Sequence, residues 1–180
     1  FVEAFGKDAK VIVDPVMADN GKVYATYTPE MCLEMRELVT HANIITPNLT
    51  ECCILTDRPY MGENVCDAEV LEIAKELSAL GPQQIVITGI RCGNGKINNF
   101  AYDAPTDTSF MVEENLVRRH FSGTGDVFAA VLCGALANGL GLSDALRKAA
   151  DFVYRAAKYT MEQDPKHEEG IFFERFLKEL

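Results

Sequence analysis

Three short runs of branched apolar residues constrain this chain most, because each ends on a polar side chain. They are Lys10-Val-Ile-Val-Asp14, Asn43-Ile-Ile-Thr46 and Gln84-Ile-Val-Ile-Thr88. A brief apolar run bounded by turn signals suits a strand buried on both faces, as in a parallel sheet. Helical patterns lie between the runs. Thr28 is placed as an N-cap with Pro29 at N1, followed by Met31, Cys32, Met35, Leu38 and Val39 at helical spacing. Asn48-Leu-Thr-Glu51 reads as a capping box opening a second helix. A third is expected from about Asp67 to Leu80, stopped by Gly81-Pro82. Repeated strand–helix–strand steps predict an α/β fold with a mostly parallel sheet flanked by helices.

The pattern then changes. Ile97–Tyr102 and Ser109–Val112, joined through Asp103-Ala-Pro-Thr-Asp107, read as an antiparallel hairpin at one edge of the sheet. After it comes Phe121-Ser-Gly-Thr-Gly-Asp126, and then a helix to about Asn138 that is apolar nearly all round and is expected to be central and buried. Ser143 is expected to cap the next helix, which presents Leu146, Ala149, Ala150, Val153 and Ala157, with Pro165 at its end. A short last helix is expected around Phe173, Phe176, Leu177 and Leu180.

A single domain over residues 1–180 accommodates these elements. The formal net charge of -10 argues against nucleic-acid or anionic-membrane partners, which need clustered Lys and Arg. An anionic ligand would therefore need metal ions and helix N-termini. Six scattered cysteines without a C-x-x-C pair, and three histidines, give no zinc pattern and fit reduced thiols in the cytoplasm. No apolar run reaches membrane-span length. Phe1-Val-Glu-Ala-Phe5 reads as the end of a helix and no methionine precedes it, so a further N-terminal region is expected in the natural protein.

The chemistry gathers where strands end. Asp14, Thr46 with Asn48 and Glu51 beyond it, and Thr88 all fall at carboxyl ends, the edge at which open α/β sheets bind ligands. The helix after Gly123 should start at the same edge, bringing free backbone N–H groups and the Asp126 carboxylate together. Taken singly, each has a plainer reading: Asn48-x-x-Glu51 as a helix cap, Asp14 before Pro15 as the start of a loop, Asp19 as a turn residue, Thr88 as a strand end.

Val13-Asp-Pro-Val-Met17, Asp19-Asn-Gly21, Ile45-Thr-Pro-Asn48 with Glu51, and Ser122-Gly-Thr-Gly-Asp126 stand in the order and spacing of the vitamin B6 kinases. The chain resembles the C-terminal portion of a bacterial-type pyridoxal (pyridoxine/pyridoxamine) kinase of the ribokinase-like superfamily. That resemblance implies transfer of the ATP γ-phosphate to the 5′-hydroxymethyl group of a B6 vitamer. Asp126 would be the base, and the amides of Gly123, Thr124 and Gly125 the anion hole. Asp14, Asp19, Asn48 and Thr88 would lie around the phosphates. Asn48 and Glu51 would hold Mg²⁺, while Asp14 and Thr46 would serve a monovalent cation such as K⁺. A homodimer is implied for the full-length protein. Hydroxymethylpyrimidine (phosphate) kinases share the fold and these motifs, and a non-catalytic vitamin-binding relative is a third reading. Tyr24 and Tyr27 beside the Asp19-Asn-Gly turn favour pyridoxal. Two departures stand out. Ala18 replaces the family's usual glycine, so a turn needing positive φ there would be strained, and the region that carries much of the vitamin pocket has no counterpart in this sequence.

Overall fold

The computed structural model describes residues 9–62, 65–164, 166 and 169–180. The expected helix end at Phe1–Phe5 and the stop at Pro165 lie outside them. A five-stranded sheet runs in the order β1-β4-β5-β6-β7. Its parallel part is β1 (Ile12–Val13), β4 (Ile44–Ile45) and β5 (Gln84–Arg91). β6 (Lys96–Asp103) and β7 (Thr108–Asn115) are antiparallel and close one edge, as the hairpin pattern predicts. A separate antiparallel ribbon pairs β2 (Ala18–Asp19) with β3 (Lys22–Val23).

Strand alternation divides the core into two layers. Ile44, Val86 and Ala101 face α4 (Thr124–Ala137) and α5 (Leu142–Gln163). Ile45, Ile85, Ile87, Phe100 and Tyr102 face the other side, with α1 (Pro29–Thr40), α2 (Leu49–Leu55) and α3 (Asp67–Ala79). Thr28 caps α1 through Met31 N–H, with Pro29 opening the helix, as its sequence dictates. Of that helix's expected apolar face, however, Met31 and Leu38 remain exposed and only Val39 is buried. No described helix is long and apolar enough to cross a membrane, and all six cysteines are free thiols.

Three expectations need correction. α4 is buried on one face only: Phe128, Val131, Leu132 and Ala135 are inside, whereas Ala130, Cys133, Gly134 and Ala137 are exposed. An apolar composition cannot say which face meets the sheet when most side chains are small. Ser143 does not cap α5, because the extended residue before the helix is Gly141, and Leu142 is already buried in the first turn. The last helix is a 3₁₀ segment, Glu174–Glu179, held against α5 by Phe176 packed edge-on to Phe152 and Tyr159.

Where the parallel ladders stop, the sheet opens. Beyond Ile45, Thr88 N–H still donates to Pro47 O (2.9 Å), but Pro47 has no N–H to return. Asn48 then turns into α2. The register of β5 against β6 slips between Ile87 and Ile90, and Gly89, at φ 69°, donates its N–H to the Asn99 side chain (3.2 Å) instead of to a backbone carbonyl.

Candidate active site

The start of α2 is held by a full capping box. Asn48 Oδ1 accepts from Thr50 N (2.9 Å) and Glu51 N (3.1 Å), and Glu51 Oε2 accepts from Asn48 N (2.8 Å). The same two side chains reach across to the segment after β1. Glu51 Oε1 accepts from Met17 N (3.0 Å), and Asn48 Nδ2 donates to Ala18 O (2.7 Å). Thr50 Oγ1 accepts from Gly21 N (2.9 Å). Three polar side chains at the start of α2, those of Asn48, Thr50 and Glu51, thus fix the loop and ribbon that carry Asp19.

That ribbon removes the expected strain at Ala18. Ala18 is a buried strand residue, and the positive φ angles fall at Asn20 (50°) and Gly21 (76°), the two turn residues between β2 and β3. Asn-Gly is the pair that such a two-residue hairpin favours. Gly21 is further required because a Cβ there would lie 2.6 Å from the Tyr60 ring. Asp19 accepts from the backbone and side-chain nitrogens of Asn20, both at 2.8 Å.

Thr46, buried at the end of β4, donates its hydroxyl to Asp14 Oδ1 (2.9 Å). Burial pushes the Asp14 carboxyl above the usual carboxylate range. The Thr46 bond pulls the other way, and the charge of Asp126 adds to the upward push. Burial raises Glu51 further, to about 7, against the lowering by the Asn48 and Met17 N–H groups, with Asp14 adding repulsion. The Tyr24 phenol is also raised, by burial and then by Asp19, Glu51, Asp126 and Asp14. Four carboxylates therefore face one another across a small space.

The opposite wall is the start of α4. Gly123 takes the left-handed conformation (φ 76°, ψ 7°) and no side chain caps the helix. Val127 N–H is the first to be paired, with Gly123 O (3.1 Å). Among the described residues the N–H groups of Thr124, Gly125 and Asp126 have no partner, so the partial positive charge of the helix end is open. Asp126 stands exposed beside them.

One cavity of about 600 Å³ unites these parts. Asp14, Asp19, Thr46, Asn48, Glu51, Thr88, Gly123, Thr124, Gly125 and Asp126 all line it; of the two tyrosines singled out in the sequence, Tyr24 lines it and Tyr27 does not. It also adds some that the sequence did not suggest. Arg91, Asn99, Arg119 and His120 contribute polar groups, and Ile97, Leu116, Val117, Phe128 and Val153 form an apolar stretch of wall. Only the alternation of β6 hints at Asn99, and only Arg-Arg-His in an acidic chain hints at the cations.

The phosphomethylpyrimidine kinase family matches residues 2–170. The chain belongs to that family. A pyridoxine kinase from Bacillus subtilis is 33% identical over 151 residues, 82% of this chain and 54% of the relative. A Bacteroides thetaiotaomicron protein described as a phosphomethylpyrimidine kinase, in a crystal form with pyridoxal, superposes with a TM-score of 0.92 at 35% identity, covering 99% of this chain and 63% of that one. The ADP complex of a Bacillus subtilis pyridoxal kinase superposes at 0.69 with 30% identity, covering 82% of this chain and 54% of that one. The chain spans about half the length of the curated relatives it matches. The likeness extends through both layers of the sandwich.

Proposed function

We propose that this chain is the ATP-binding and catalytic portion of a kinase that phosphorylates the 5′-hydroxymethyl group of pyridoxal, pyridoxine or pyridoxamine. The observation that carries this reading is the uncapped start of α4 facing Asp14 and Glu51 across one cavity, with Asp126 at the junction. The amides of Gly123, Thr124 and Gly125 are placed to receive charge developing on a transferred phosphoryl group. Asp126 accepts the proton of the attacking hydroxyl and orients it. Asp14, Asp19, Asn48 and Thr88 border the phosphates, and Thr46 with Asp14 suits a monovalent cation.

The residues fit a divalent cation. Glu51 is a buried carboxylate with no cationic partner among the described residues, and Asp14 adds a second negative charge beside it. Glu51 would hold Mg²⁺ through its free lone pairs or bridging waters, while Asn48, whose oxygen already serves two N–H groups, would hold Glu51 in place. Bound there, Mg²⁺ supplies the positive charge that the phosphates and carboxylates jointly need.

Hydroxymethylpyrimidine presents the same chemistry, a primary alcohol on a six-membered heteroaromatic ring, whereas its phosphate would accept through a phosphate oxygen; the family's name favours these substrates as the second reading. The pyridoxine kinase relative and the structural neighbour with pyridoxal support the first. With the full-length protein, turnover on pyridoxal should exceed that on hydroxymethylpyrimidine. Asp126→Asn should lower kcat by at least about a hundredfold, in the range of general-base losses, with ADP affinity within a few fold. Undiminished kcat in that variant would sink the assignment of Asp126.

A further inference from the structure

Adjacent asparagines on β6 point to opposite faces of the sheet. Asn98 lies on the α3 side with Phe100, and its Oδ1 is sealed and unpaired. Asn99, paired in register with Val112, lies on the α5 side and lines the cavity. Its side chain is fixed from one end. Oδ1 accepts Gly89 N–H at the slip in β5 (3.2 Å), and because an N–H must meet an oxygen, Nδ2 is necessarily the other end.

Asn99 is only 8% exposed, yet Nδ2 has no hydrogen-bond partner among the described residues and is not sealed from the cavity as Asn98 Oδ1 is. A donor held in direction and open to the cavity is available to an acceptor that enters it. The cavity that Asn99 lines has an apolar stretch of wall from Ile97, Leu116, Val117, Phe128 and Val153, beside the polar Arg91, Arg119 and His120, whereas the uncapped backbone donors suited to phosphate lie at α4. Apolar wall together with a donor fixed in direction is an arrangement that orients a heteroaromatic ring.

Resting on the nucleotide-binding reading above, we propose that Asn99 is a specificity residue whose Nδ2 donates a hydrogen bond to a ring nitrogen of the nucleobase. The slip at Gly89 serves this by aiming the amide. Base selection in this chain is then set from the floor of the sheet.

The test is titration calorimetry on the full-length protein with Mg²⁺ and ADP, or its 1-deaza, 3-deaza and 7-deaza analogues, each lacking one ring acceptor. One analogue should bind about tenfold more weakly than ADP, the loss expected for one buried hydrogen bond. In Asn99→Leu the same analogue and ADP should bind within twofold of each other. Asn99→Asp keeps the acceptor for Gly89 and removes the donor at neutral pH, so the penalty should vanish there too, even if the leucine variant fails to fold. The proposal is overturned if all three analogues match ADP on the unaltered protein, or if the penalty persists in the variants. Failure of ADP itself to bind would overturn the nucleotide reading, and this proposal with it.

Discussion

Replacing Glu51 by glutamine tests how the site is assembled. In the folded chain this carboxylate is 3% exposed and accepts Asn48 and Met17 N–H groups, yet burial holds its pKa at about 7 against an ordinary 4.5. The folded state therefore keeps a proton that the unfolded chain has already released, and stability falls as pH rises from about 4.5 through 7. A shift of that size corresponds to about 3 kcal/mol lost across the window. Glutamine carries no charge to bury, but its amide nitrogen cannot accept, so the backbone N–H facing that end is orphaned at a cost of roughly 1–2 kcal/mol. Glu51→Gln should thus be the less stable protein at pH 5 and the more stable one at pH 8.5. Urea unfolding followed by circular dichroism would read this as a relative midpoint shift of roughly 1.5 M between the two pH values, for an m-value of about 2 kcal/mol/M. Adding Mg²⁺ at pH 8.5 should raise the unaltered protein more than the variant. Parallel pH curves for the two proteins would refute the account of Glu51 as a buried, uncompensated acid.

Gly21→Ala should be far more damaging than Gly62→Ala. Both positions have positive φ, at 76° and 63°, but a Cβ at Gly21 would press on the Tyr60 ring at 2.6 Å whereas Gly62 has open space. Thermal melts should place the Gly21 variant well below the Gly62 variant, which should lose only the roughly 1 kcal/mol of left-handed strain. Thr46→Val removes the one hydroxyl that favours ionised Asp14. The Asp14 pKa should rise, carrying the acidic limb of the kcat/KM profile to higher pH, and an unmoved limb would remove Asp14 from the reaction.

Much of this site was legible because it is local. Asn48 with Glu51 three residues on, Gly123 before a helix, and polar residues at strand ends each signal their own geometry within a few positions. What was not legible depends on contacts far apart in sequence. Nothing around Lys96-Ile-Asn-Asn99 announces that Gly89 leaves the ladder ten residues earlier and turns one asparagine into a fixed donor. The Ala18 expectation failed for a related reason: a glycine-to-alanine departure looks strained until pairing of Ala18 with Val23 shows that Asn20 and Gly21 carry the turn. The exposed face of α4 was hidden because Ala130, Cys133, Gly134 and Ala137 are apolar by composition and small enough to stand in either environment.

Pro47 has a consequence beyond its own position. A residue with a carbonyl and no N–H can hold its neighbour from one direction only, so Pro47 accepts from Thr88 and returns no bond itself, and the pairing past β4 is reduced to a single bridge between Asn48 and Thr88. Just beyond that bridge two strands stop being fabric and become two separate threads, one led into α2 and the other turned towards Asn99. The cleft is the space between those threads. Its depth is set by backbone valence as much as by the side chains that line it, and that places a residue with no reactive group among the determinants of the site.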